Sequence, residues 1–365
     1  MNEGPKDLPV IARGPRLIVS SMRNEGPFIL EWIAYHRHIG FDDFLIYSND
    51  CQDGTDLILD RLQELGVLTH ERNARQGKKT VQWQALSHAS GHPKLAAADW
   101  VLVSDVDEYL TIHTGDGTLD DLFRAAPEAD AFAISWRMFG NNGRIAHEQG
   151  LVTEQFIRCA PETIIWPWRA AQFKSLFRNG PGLKRLGVHA PRFDKAARGS
   201  WVDGCGVRII APGGTYLHNT GPRYGLAQIN HYALGSAEGF LVKAARGRPN
   251  HSDEPIGVDY WIERNFNQIE DRRILRHSEA VKDGIAALLS DERLARLCGA
   301  AELWRKSRIA TLKTEDPMFE LYSAILHAAP TPLLPPDQQL SLLSQKLAIK
   351  QREAKAKSED RDRRD

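Results

Sequence analysis

An α/β fold, with a Rossmann-like mostly parallel sheet, flanking helices and a C-terminal helical appendage, is what this 365-residue sequence predicts. Two observations carry that expectation. Strand-like and helix-like segments alternate over about the first hundred residues, as right-handed crossovers require. From about residue 259 the chain reads as a series of helices instead.

The first strand is "RLIVSSM" (16–22), followed by "RNEGP" and a helix through "FILEWIAYHRHIG", where Phe28, Trp32, Ile33, Tyr35, His36 and Ile39 fall near helical spacing. Asn24 or Glu25 suits the helix start, Pro27 its first turn and Gly40 its end. A second unit repeats the pattern in "DFLIYSN" (43–49), the turn "DCQDGT" (50–55) and the helix "DLILDRLQELG" (56–66). A third strand, "VLTHE" (67–71), leads through the polar loop "NARQGKK" to a helix in "TVQWQALSHAS" (80–90), and then to the strand that opens "WVLVSDVDEYL" (100–110). "ADAFAISWRMFG" (129–140) reads as a further strand. Residues 141–235, rich in Gly, Pro and aromatics, suit loops with a few antiparallel strands. "DYWIERNFNQIEDRRILRH", the run from Val281 to Leu312 and "MFELYSAILHAA" read as helices, and "KQREAKAKSEDRDRRD" as a charged tail unable to bury a core. The expected organisation is a 16–250 domain with a nucleotide-binding half (16–130) and an acceptor-side half (131–250), a 259–330 helical appendage, and a partly disordered 338–365 tail.

Lys plus Arg number 47 and Asp plus Glu 47, so no global charge gathers nucleic acid. Cys51, Cys159, Cys205 and Cys298 are far apart and form no C-x-x-C pair, which argues against a zinc ribbon and agrees with a reducing compartment. The N-terminus lacks a secretory apolar run, and no stretch reaches the ~18 to 20 apolar residues of a membrane span. The expectation is a cytoplasmic protein, compatible with peripheral membrane association.

In open parallel sheets ligands bind at the carboxyl ends of the strands. That rule gathers "SSMRNEG", "YSNDCQDGT", "HERNARQG" and "SDVDEY" along one edge. Asp105 and Asp107, two apart in an extended chain, face one point while Val106 turns to the core. Carboxylates that converge in this way repel unless a cation lies between them. Mg²⁺ or Mn²⁺ prefers such oxygen ligands and fills its remaining positions with water and substrate phosphate. A bare D-x-D is also a common solvated turn, so its context decides.

That context is "MRNEGPFILEWIAYHRHIGFDDFLIYSNDCQDGT" (22–55), "ADWVLVSDVDEYL" (98–110), "FAISWRMFGNNG" (132–143) and "INHYALGSAEGFLVKAARGR" (229–248). Together and in this order, the four blocks resemble the family-2-like bacterial glycosyltransferases of GT-A fold, which are similar to the family-92 enzymes. The resemblance implies a nucleotide-diphosphate sugar donor, a Mn²⁺ or Mg²⁺ ion on Asp105 and Asp107, and transfer with inversion to a glycan, lipid-linked or protein acceptor.

His231 in "NHYALGS" is the foremost histidine for completing the metal shell, with His189 and His218 as rivals. Arg23, Asn24 and Glu25 either meet the nucleotide or cap the helix. Asn49, Asp50 and Asp53 either contact the donor or make an ordinary turn. Arg75, Gln76, Lys78 and Lys79 form a basic loop beside the expected diphosphate, Gln82 follows on the next helix, and Lys243 and Arg246 offer cations to the leaving group. Trp136, Phe139, Trp166, Trp168 and Trp201 either stack on sugars or pack the core. Glu148, Glu154 and Asp203 are the candidate general bases. Two other readings remain open: a sugar-nucleotide pyrophosphorylase, whose Gly-rich basic loop "SSMRNEGP" does not reproduce, and a non-catalytic carbohydrate- or metal-binding module.

Overall fold

In the computed structural model, residues 14–75, 77, 80–197, 199–217, 223–247 and 256–362 are described, with side chains to residue 353. Gln76, Lys78, Lys79 and His218 lie outside them, as do residues 1–13. Strands β1 (Arg16–Met22), β2 (Asp43–Ser48), β3 (Thr69–Arg72) and β4 (Trp100–Val103) run parallel in the order β3-β2-β1-β4. Beyond β4 comes the antiparallel strand Phe173–Arg178, and then β6 (Ala131–Met138). The start of β6 pairs with Trp201–Asp203, while its end pairs in parallel with Ala227–His231. The last of these also holds β5 (Glu108–Ile112), antiparallel. The result is the mostly parallel α/β sheet with flanking helices that the sequence predicts.

Alternation along the strands explains why helices cover both faces. Ile18, Phe44, Ile46 and Leu102 belong to the apolar cluster of Trp32, Ile33 and Ile58, from α1 (Ile29–His38) and α2 (Thr55–Glu64). Their neighbours Leu17, Val19, Leu45 and Val101 join Ala85, Leu86, Ala89 and Leu95 from α3 (Val81–Ala89) and α4 (Pro93–Ala97) on the other side. Each such side chain contributes about 1.5–3 kcal/mol of hydrophobic free energy, and a one-residue slip would exchange the two faces.

The C-terminal helices close against the first face. Ser278–Leu289 lies on α1, and Glu292–Leu312 on α2 and on the helix Ala237–Arg246. Asp291 caps the longer helix by accepting from Leu294 N at 2.8 Å, and its carboxylate meets Arg61 of α2 at 2.6 Å. A Cβ on Gly26 would stand 2.7 Å from Ala301 Cβ, so glycine is what lets this helix approach the loop after β1. Within the sheet, Arg137 of β6 pairs with Asp271 at 2.7 Å, both almost fully buried, and Gln228 joins them.

Three sequence expectations change. Asp105, Val106 and Asp107 form a turn rather than extended chain, because the strand stops at Val103 and restarts as β5 at Glu108. The stretch 259–277 is not one helix: Val258–Ile262 is helical, and Ile269–Glu270 instead pairs antiparallel with Arg158–Cys159. The charged C-terminus is drawn into a helix, Pro336–Asp362. No helix among the described residues is long and apolar enough to cross a membrane.

One buried carboxylate makes stability depend on pH. Glu31 of α1, 5% exposed, accepts from Val152 N (2.7 Å), Thr153 N (3.0 Å) and Thr153 Oγ1 (2.8 Å). Burial outweighs those bonds and pushes its carboxyl from 4.5 up to about 7. A raised carboxyl binds its proton more tightly in the folded state, so its contribution is complete below about pH 4.5 and is lost as pH rises through about 7. The expected loss is about 3 kcal/mol. Urea unfolding at pH 5 and 7.5 should show it, and Glu31→Gln should flatten the difference; equal slopes in the two proteins would refute it.

Candidate active site

The loops that follow β1, β2, β3 and β4 do meet in one place. A cleft of about 430 Å³ is lined by Arg23, Glu25, Asn49, Arg75, Gln82, Asp105, Asp107, His231 and Lys243, among others. Strand geometry accounts for this convergence: four parallel strands end together, and the turn after β4 projects its carboxylates beyond the sheet edge.

Each aspartate of the turn has its own cation. Asp105 Oδ2 accepts from Lys174 Nζ at 3.0 Å and Oδ1 from Gln82 Nε2 at 3.0 Å. Lys174, fully buried on Phe173–Arg178, also reaches Glu108 Oε2 at 3.1 Å. Burial alone would discharge this lysine, but the carboxylates of Asp105 and Glu108 raise its pKa. Asp107 Oδ2 meets Lys243 Nζ at 2.6 Å and faces His231 Nε2 at 3.7 Å. Burial pushes the Asp107 carboxyl up, yet Lys243 and His231 together hold it well below the usual carboxylate range. The repulsion expected between the two aspartates is therefore relieved by two lysines, the buried Lys174 at Asp105 and Lys243 of the cleft wall at Asp107.

His231 leans on Trp136 with ring centroids 4.2 Å apart, and its pKa is lowered chiefly by burial, so the ring is neutral at neutral pH. Its Nδ1 has no protein partner. Asp107 Oδ2 and His231 Nε2 face each other as an oxygen and a nitrogen donor of the kinds Mn²⁺ accepts, and the oxygen is shared with Lys243. Among the described residues no group of three or more His, Cys, Asp or Glu side chains could hold a metal by itself. Further ligands would have to come from a substrate and water.

Other candidates divide. Glu25 pairs with Arg246, and burial, opposed by that arginine, raises its carboxyl pKa. Asn24 lies beside the cleft without lining it; its Oδ1 accepts from Gln52 N at 2.8 Å, tying the first loop to the second, and no side chain caps the helix there. Asp53 is buried and accepts from Gly26 N (2.9 Å) and Thr55 N (2.8 Å), a turn-forming role away from the cleft wall. Among the three candidate bases, Glu148 pairs with Arg144 on the rim of a second, adjoining cavity. Glu154 pairs with Lys282, and Asp203 accepts from Cys205 N and Val207 N in a turn; neither lines the cleft. His189 does line it, with burial lowering its pKa to about 4.

The chain also contributes residues that sequence reading missed: Lys174, Arg169, Gln172, Tyr260 and Arg264. Tyr260 of the Val258–Ile262 helix stacks with Arg264 of the turn after it, the guanidinium 3.6 Å over the ring centroid. Nothing in the local sequence aims that pair at the cleft.

A family model described as Glycosyltransferase family 92 matches residues 19–192, the segment that carries all four parallel strand ends and the Asp105-Val106-Asp107 turn. Residues 19–192 are a glycosyltransferase family 92 domain. Curated relatives include the family 92 proteins Os08g0121900 of Oryza sativa subsp. japonica, 28% identical over 40% of this chain and 25% of its own length, and RCOM_0530710 of Ricinus communis, 27% identical over 34% and 23%. The matched region thus spans about a quarter of those relatives. Among solved structures, S. aureus TarS 1-349 in complex with UDP is 19% identical with a TM-score of 0.24, covering 36% of this chain and 38% of that one, a likeness too weak to support anything further.

The family 92 domain does not complete the cleft. His231, Lys243, Arg246, Tyr260 and Arg264 all come from beyond residue 192, so the wall facing Asp107 is supplied by the chain that follows the matched segment.

Proposed function

We propose that this protein transfers a sugar from a nucleoside-diphosphate sugar to an acceptor hydroxyl, in a metal-assisted reaction with inversion. The observation that carries the reading is the charge layout of the cleft: an ionised Asp107 beside a neutral His231, with Lys243, Arg246, Arg264, Arg169 and Arg75 around them. Cations so placed favour a diphosphate, and Asp107 with His231 would hold a Mg²⁺ or Mn²⁺ ion against it. When bound, that ion supplies charge neutralisation for the departing nucleoside diphosphate. Lys243 and Arg246 serve the same leaving group as fixed, preorganised charges. Asp105, held by Lys174 and Gln82, stands on the cleft wall beside them. Glu25 lines both the cleft and the adjoining cavity, which is where a carboxylate must stand to take the acceptor proton. The acceptor is a glycan, a lipid-linked sugar or a protein, and the expected compartment is the cytoplasm.

The test is thermal stability of the full chain against UDP, GDP and their sugar conjugates, with and without Mn²⁺. A diphosphate at 100 times its Kd should add about 2.7 kcal/mol, with tighter binding when Mn²⁺ is present. If no nucleoside diphosphate raises Tm, and no sugar nucleotide is hydrolysed, the reading fails.

A further inference from the structure

The cleft adjoins a second cavity of about 400 Å³, which shares Glu25, Val106, Asp107, Lys243 and Arg246 with it. Its character is different. Phe28, Val152 and Phe156 line one side, and Ile285, Leu289 and Gly299 of the C-terminal helices line the other. Leu289 is 37% exposed and lines this space. A Cβ on Gly299 would meet no atom within 4 Å, so the wall there is open. Arg305 is 7% exposed and lines the same space, with its Nε left without a partner.

Packed protein interiors rarely leave an apolar space this large empty. This one adjoins the cleft at Glu25, the carboxylate proposed above to take the acceptor proton, which places it on the acceptor's side. Polar groups such as His147, Glu148 and Gln149 also line the cavity, but hydroxyls of a bare glycan lying against Phe28, Val152, Phe156 and Ile285 would find no partner there. An acceptor with an alkyl tail matches the lining, its sugar head at the charged junction and its tail among the apolar side chains. We infer that the acceptor is an amphiphile whose apolar tail occupies the cavity between the family 92 domain and the C-terminal helices. This rests on the reading of the cleft as a sugar-transfer site and names the acceptor class for it.

The experiment compares n-octyl β-glucoside, below its micellar concentration, with methyl β-glucoside, by calorimetric titration of the full chain, alongside a separate titration with UDP. The octyl compound is expected to bind at least about tenfold more tightly, the order expected from burying several methylenes. Gly299→Phe, which fills open space, should abolish that preference while leaving UDP affinity unchanged. Leu289→Gln, at the exposed edge, should reduce it. Equal affinities for the two glucosides, or an octyl preference that survives Gly299→Phe, would overturn the inference. Absence of UDP binding would instead sink the donor reading.

Discussion

Asp107→Asn is expected to lower the rate of sugar transfer by about a hundred- to a thousandfold, the effect typical of removing one electrostatic contact to a transition state. The substitution keeps the shape of the side chain and removes its charge. That charge is what Lys243 meets at 2.6 Å and what His231 faces at 3.7 Å. Because those two groups outweigh burial and hold the carboxyl well below its usual range, Asp107 is ionised throughout neutral pH. Asparagine would leave Lys243 with its bond to Ala233 O at 2.7 Å, but without its counter-charge. Initial rates with a sugar nucleotide, alongside circular dichroism to verify the fold, decide the matter. A variant retaining more than about a tenth of wild-type activity would remove Asp107 from the chemistry.

Lys174→Met is expected to destabilise the protein by about 3–5 kcal/mol, the cost of stranding buried charge. The methionine would match the stem of the lysine, so packing is nearly preserved. Glu108, fully buried, would lose the ammonium 3.1 Å from its Oε2, and Asp105 the one 3.0 Å from its Oδ2. Among the described residues, Asp105 N and the Ser104 hydroxyl would remain as donors to Glu108. Burial already pushes the Glu108 carboxyl up to about 8 against the pull of Lys174, and losing the lysine would push it further, so the variant should fall further behind wild type as pH rises through about 8. Its deficit should therefore be smaller under mildly acid conditions. The double variant Lys174→Met/Glu108→Gln should recover part of the loss. Urea unfolding of the three proteins at pH 5 and 9 measures this, and a Lys174→Met protein within 1 kcal/mol of wild type at both would refute it.

The parallel strands were legible because their short, near-continuous apolar runs and the intervening turns are local properties. "RLIVSSM" and "DFLIYSN" became β1 and β2 within a residue of expectation. The acidic turn was legible in position and not in conformation. Reading it as extended chain overlooked that Glu108 begins a new strand, β5, whose partner Ala227–His231 lies more than a hundred residues away. Lys174 carries no local signal at all. A lysine in "FKSLFR" looks like the solvent face of a strand, and only the insertion of that strand between β4 and β6 buries it beneath Asp105.

By itself, the order of residues determined the α/β alternation, the rim of strand ends and the acidic turn at their edge, because backbone periodicity and turn chemistry act over a few residues. Tertiary structure alone decided which cation answers which carboxylate, that Asp53 stays in a turn while Glu25 faces both cavities, and that helices from beyond residue 250 close the apolar space. Those outcomes depend on long-range packing, where burial and charge are set by segments far apart in the chain.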